Sequence, residues 1–133
     1  MNHRSTRIYT AFTGFFLILQ GTSTLLFRLY PSLDEAFPQL LDITQMIPPH
    51  SILHIITAVI ALIIFFRGKE NELFYFSAGF GIFYTGLALF GFGTHHPTIF
   101  GLQPFDHPFH LFLGVWGLLV AGIYFYQTRK QAS

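Results

Sequence analysis

Six of the seven histidines fall in two stretches of the chain, His50 and His54 in one, His95, His96, His107 and His110 in the other. His50 and His54 stand four residues apart, one turn of helix, and Asp106 and His110 repeat that spacing. Two imidazoles on one turn can grip a single metal ion. Together the two pairs offer three nitrogens and one oxygen, a donor set for zinc or, less selectively, copper or nickel. No glutamate adjoins the histidine pair, so the pattern departs from the HExxH arrangement of metalloproteases and hydrolysis has no support. Two further chemistries fit the same residues. His54 and His110 hold equivalent places and can serve as axial ligands of a b-type haem, with Arg28 near a propionate. Imidazoles also titrate near neutral pH, so an outward-facing cluster can make a protein pH-responsive. The remaining alternative is structural: each polar group bonds a neighbour and sets helix register.

The segments that must position these residues are apolar and long. Stretches of about 20 apolar residues span a bilayer as helix, and four qualify: 8–30, 50–66, 73–93 and 109–126. Pro48-Pro49 and Pro108 are natural helix starts for the second and fourth. None of the four alternates apolar with polar residues, which excludes barrel strands. Composition agrees. Only 10% of the 133 residues are charged and 52% are hydrophobic, whereas a soluble domain carries about 25% charge. The expected class is all-α: a polytopic membrane protein, one four-transmembrane-helix bundle built from two tandem helix hairpins.

Several functions drop out. A net charge of +1 supplies no field for nucleic acid. The absence of cysteine removes disulfides, thiol catalysis and iron–sulfur clusters. No serine lies in a nucleophile motif and no glycine loop can cradle phosphate.

Charge sorting predicts orientation. Arg4, Arg7, Arg67, Lys69, Arg129 and Lys130 flank the spans on one side, with Arg28 alone on the other. The positive-inside rule makes the first side cytoplasmic and places both termini there, in a multi-pass protein of the cell inner membrane. His3 then falls inside and the other six histidines outside. The first segment reads as a retained span, because no small-x-small site follows it for signal cleavage. The outer loop 31–49 mixes Leu33, Phe37, Leu40, Leu41 and Ile43 with Asp34, Glu35 and Asp42, as in a short amphipathic helix that could lid the outer end. Tyr9, Tyr30, Tyr75, Tyr124 and Tyr126 fall at span ends and fit an interfacial aromatic belt.

The chain also repeats itself. Gly14 and Gly21 are spaced like Gly79 and Gly86, offset by 65 (79 − 14), and His54 matches His110, offset by 56 (110 − 54). Small residues Ala58, Ala61, Gly114, Gly117 and Ala121 continue the histidine-bearing faces along helical stripes, so the histidines head helix–helix contacts. Gln20, Thr24 and Arg28 form a polar i, i+4, i+8 stripe on the first span. The expected result is an interior polar chamber in the outer half, lined by Gln20, Thr24, Arg28, His50, His54, Asp106 and His110. Ser77 and Gly81 are expected on an exposed face, where small residues can seed a homo-oligomer.

The His50-xxx-His54 head, the Asp106-xxx-His110-xxx-Gly114 head and the hairpin duplication resemble an uncharacterised family of small four-helix bacterial membrane proteins. In that family the second and fourth helices begin with Asn/Asp/His-x-x-x-His, followed by small residues. The likeness covers nearly all of 8–126. It departs at His50, where Asn is common, and at Ala58, which stands at the position matching Gly114. It implies the topology and no activity. A more distant likeness, to DoxX-like four-helix proteins, implies a partner role in redox or quinone-associated assemblies. The leading expectation is thus a non-enzymatic scaffold or accessory subunit in the lipid bilayer, alone, as a homo-oligomer or within a larger membrane complex. The alternative is a metal- or haem-binding protein using the histidine cluster.

Overall fold

The computed structural model describes residues 4–132, and His3 lies outside them. Six helices account for the architecture: α1 (Arg4–Leu29), α2 (Pro31–Ala36), α3 (Gln39–Thr44), α4 (Pro48–Arg67), α5 (Glu70–Thr94) and α6 (Asp106–Ala132). No strand occurs among the described residues. Helices α1, α4, α5 and α6 are long and apolar enough to cross a membrane. Their lipid-facing surface is built of side chains such as Leu19, Phe66 and Ile82, each about two-thirds exposed (68%, 67% and 66%). A water-soluble fold rarely exposes contiguous apolar faces of this kind.

Each long helix runs past the apolar core of its span because local chemistry sets its ends. Ile47 is extended, and Pro48-Pro49 open α4 where no backbone donor is needed. The Glu72 carboxylate accepts the Lys69 N–H at 2.6 Å and anchors the first turn of α5. Pro108 lies within the first turn of α6; Asp106, one of the expected site residues, begins that helix instead. Its Oδ2 accepts the Gln103 N–H at 2.7 Å. The segment 31–49 forms two short helices, α2 and α3, because Phe37 and Pro38 interrupt it. Leu41, Thr44 and Met46 turn inward while Leu33, Phe37 and Ile43 stay exposed.

The bundle is two tight pairs, α1 with α4 and α5 with α6, which meet more lightly through α1 against α5 and α6 and through α4 against α5. Glycine makes the close approach within each pair. A Cβ on Gly21 would sit 2.8 Å from the Ser51 carbonyl oxygen, and one on Gly114 would collide with the backbone and hydroxyl of Thr85. Gly79 and Gly86 meet nothing within 4 Å, so the expected glycine equivalence is wrong in register. Gly81 and Ala88 take the places of Gly14 and Gly21, at an offset of 67 (81 − 14, 88 − 21). With that shift the buried faces of α1 and α5 coincide: Thr10 with Ser77, Leu17 with Tyr84, Thr24 with Gly91. Between α4 and α6 the offset of 56 holds, matching His50 with Asp106, Ser51 with His107, His54 with His110 and Ala58 with Gly114. Ser77 and Gly81 are therefore buried within a pair and are not free to seed a self-interface.

Toward the basic end the interior is aromatic. Phe76, Phe80 and Tyr84, one helical turn apart on α5, stack with ring centroids 5.4 and 4.0 Å apart. Tyr9 lies edge-on to Trp116 at 5.2 Å and donates its hydroxyl to the Leu113 carbonyl at 2.8 Å. Tyr9 is fully buried, which removes it from the expected interfacial belt. At that same end the Arg7 guanidinium donates to the Phe65 carbonyl and Tyr124 to Asn71 Oδ1, tying α1 to α4 and α6 to α5.

Candidate metal centre

The opposite half of the interior is polar. His50 and His54 project from one face of α4 because they continue the stripe of Ala58 and Ala61 that packs against α1 and α5. His110 projects from the equivalent face of α6 above Gly114 and Gly117. Gly21 permits this placement, since a Cβ there would come within 3.0 Å of His54 Cβ. The rings form a compact triangle, with centroids 4.5 Å apart for His50–His54, 5.5 Å for His50–His110 and 6.0 Å for His54–His110. One nitrogen from each lies within 4.8 Å of the other two. All three residues are 0% exposed.

None of the six ring nitrogens has a hydrogen-bond partner. A buried polar group left unpaired costs about 1–3 kcal/mol, and native interiors leave few of them. Here six are unpaired, and three of them, one from each ring, converge. A metal ion accepts lone pairs from three neutral imidazoles at once and removes three of those deficits, while the outward-facing nitrogens become N–H donors.

Asp106 stands one step behind. It is 2% exposed and the only buried acid among the described residues. Its Oδ2 lies 3.8 Å from His50 Nδ1. The carboxylate is not among the atoms that converge, so the expected set of three nitrogens and one oxygen becomes three nitrogens backed by a carboxylate. In that place Asp106 can take the Nδ1–H of His50 and leave Nε2 for an ion, as outer carboxylates do behind metal-bound histidines. It also supplies the negative charge that a divalent ion in a low-dielectric interior requires. Tyr84 forms the floor, its ring edge-on to His110 at 4.7 Å and tilted toward His54 at 6.4 Å.

The rest of the expected chamber does not join the cluster. Arg28 is exposed and donates its Nε to the Met46 carbonyl at 2.9 Å, anchoring the loop that follows α3. Thr24 is buried, but its hydroxyl lies 2.8 Å from both the Gln20 carbonyl and Ser51 Oγ, so it fastens α1 to α4. Gln20 is half-buried, with Oε1 enclosed and unpartnered. The haem arrangement fails on space. The His50 ring stands beside the line joining His54 and His110, where a porphyrin held between them would have to fit, and the Arg28 guanidinium is engaged by the Met46 carbonyl. His107, on the face of α6 turned toward α5, packs against Phe92 at 5.3 Å and over Gly91.

One contributor, Tyr84, was not assigned to the site from sequence. The signal was present in the register, because an offset of 67 aligns Tyr84 with the buried Leu17. No family model matches the chain, and no curated protein or solved structure matches it.

Proposed function

We propose that this protein holds a first-row transition-metal ion, zinc or a chemically similar divalent ion, in the half of a four-helix membrane bundle away from its basic end. The observation that carries this reading is the convergence of three fully buried histidines whose ring nitrogens have no partner. A purely structural cluster would satisfy those nitrogens with neighbouring donors and acceptors. Three protein nitrogens leave a fourth coordination position for water or a transferred ligand, and the carboxylate of Asp106 offsets one positive charge. Magnesium and calcium, which prefer oxygen donors, are excluded by the donor set.

The sorting of six of seven basic residues to one end supports a cytoplasmic placement of both termini and an outward-facing metal centre in the cell inner membrane. An accessory role within a larger membrane complex is compatible with the site, since a bundle this small can present a bound ion to a partner. The likeness to the family of small four-helix bacterial membrane proteins supports the topology.

The test is metal titration of the purified full chain in detergent micelles. Cobalt(II) should bind one per chain with the visible absorption of a four-coordinate nitrogen site, and zinc should displace it. Binding should weaken as pH falls, because protons compete for the same lone pairs. A chain that binds neither ion at neutral pH, with unchanged behaviour when His54 and His110 are both replaced by alanine, would return the scaffold reading to first place. For orientation, a cysteine introduced by Ser32→Cys should react with an impermeant reagent on intact cells; labelling only after lysis would invert the topology.

A further inference from the structure

The two helix pairs close their histidine ends differently. In the first pair Thr24 meets Ser51 through a 2.8 Å hydrogen bond. The matching positions of the second pair hold Gly91 and His107, and the His107 ring lies in the space a Cβ on Gly91 would need. Beside that ring is a cavity of about 360 Å³ whose lining includes His95, Pro97, Gln103 and His107. His95 and Pro97, at the rim, are exposed, while His107 retains only 6% exposure. Its Nδ1 is enclosed without a partner.

We propose that His95 and His107 form a second, weaker transition-metal site, the port through which an ion reaches His50, His54 and His110. This rests on the reading of those three residues as a metal centre. Four features support the port. His107 precedes His110 by three residues on α6, so an ion held there is within one helical turn of the cluster. Asp106 links the cavity wall to the cluster, because it holds the N–H of the lining residue Gln103 with the same oxygen that faces His50 Nδ1. His95 ends α5 with φ 53°, the left-handed conformation for which glycine is preferred. An imidazole kept there brings a ligand to the rim that the turn itself does not need. Two other approaches are filled: Thr24 and Ser51 join α1 to α4, and Phe76, Phe80 and Tyr84 occupy the interior toward the basic end. Two imidazoles without a carboxylate bind borderline divalent ions more weakly than three. That suits a site an ion must leave.

The experiment is stopped-flow loading of cobalt(II) into the full chain in micelles, followed by its visible absorption. His95→Gly suits the backbone conformation of the turn, so it removes the ring without loosening the helix end. Loading should slow roughly tenfold in His95→Gly and again in His95→Gly with His107→Asn, a loss in the range seen when supporting groups around metal sites are removed. Final stoichiometry and spectrum should match the wild type. In a chain with His54→Ala and His110→Ala, weak nickel(II) binding should persist and disappear on adding His95→Gly. Loading at the wild-type rate in the His95→Gly, His107→Asn chain would overturn the port while leaving the three-histidine centre standing. Failure of the wild type to take up cobalt would overturn both.

Discussion

The α1–α4 and α5–α6 pairs share one frame and fill it with different chemistry. Helix faces match position for position, at offsets of 67 between α1 and α5 and 56 between α4 and α6. Where both pairs keep the same residue, His54 and His110, the result is a symmetric pair of imidazoles facing each other across the bundle. Where they differ, the site acquires direction. His50 supplies a third nitrogen, and its counterpart Asp106 supplies a charge and an orienting oxygen. Thr24 and Ser51 tie one pair shut with a hydrogen bond, while Gly91 and His107 leave a cavity in the other. The repeated frame therefore turns four positions inward, and the residues that differ within it decide which offer a nitrogen, which offers a carboxylate and where a cavity opens.

The comparison can be broken most directly at the symmetric pair. Replacing His54 or His110 by alanine should each lower metal affinity by more than about 100-fold, beyond the loss expected from an outer-shell change. Chelator competition measures this, and a large loss from one with none from the other would end the equivalence. Next comes the asymmetric pair. Asp106→Asn should cost about 10- to 100-fold in affinity, whereas exchanging the two residues, His50→Asp with Asp106→His, should recover much of it. No recovery would mean that the positions are not interchangeable.

Smaller effects test the frame itself. Gly21→Ala and Gly114→Ala each push a Cβ into backbone or hydroxyl atoms of the partner helix and should destabilise by about 1–3 kcal/mol in detergent unfolding. Gly79→Ala and Gly86→Ala, in open positions, should stay within about 0.5 kcal/mol. Reversal of that order would restore the register expected from glycine spacing alone. Least of all, Thr24→Val or Ser51→Ala should cost about 0.5–1.5 kcal/mol, and the double variant should be less than additive because both remove one hydrogen bond.

Much of the frame was legible beforehand. Four long apolar runs with few charges can only become helices in lipid, where every backbone group must be paired within its own segment. Pro48-Pro49 marked where α4 starts, and the i, i+4 histidines marked which of its faces turns inward. The glycine register was misread because spacing identifies a residue type, and only contact separates a glycine at an interface from one facing lipid. Ser77, Gly81 and Tyr9 were misplaced for the same reason: a small or amphipathic side chain suits both environments. Arg28 and Thr24 shared a stripe with Gln20, yet nearby backbone and hydroxyl partners captured them first.

By itself, then, the sequence determined the four long helices and the residues able to ligate, since backbone pairing in lipid and side-chain donor chemistry are local properties. Tertiary structure decided that His50, His54 and His110 converge, that Asp106 stands behind them and that Arg28 stays outside. Those outcomes depend on how far glycine lets neighbouring helices approach and at what register. That quantity belongs to a pair of helices and is written in neither one alone.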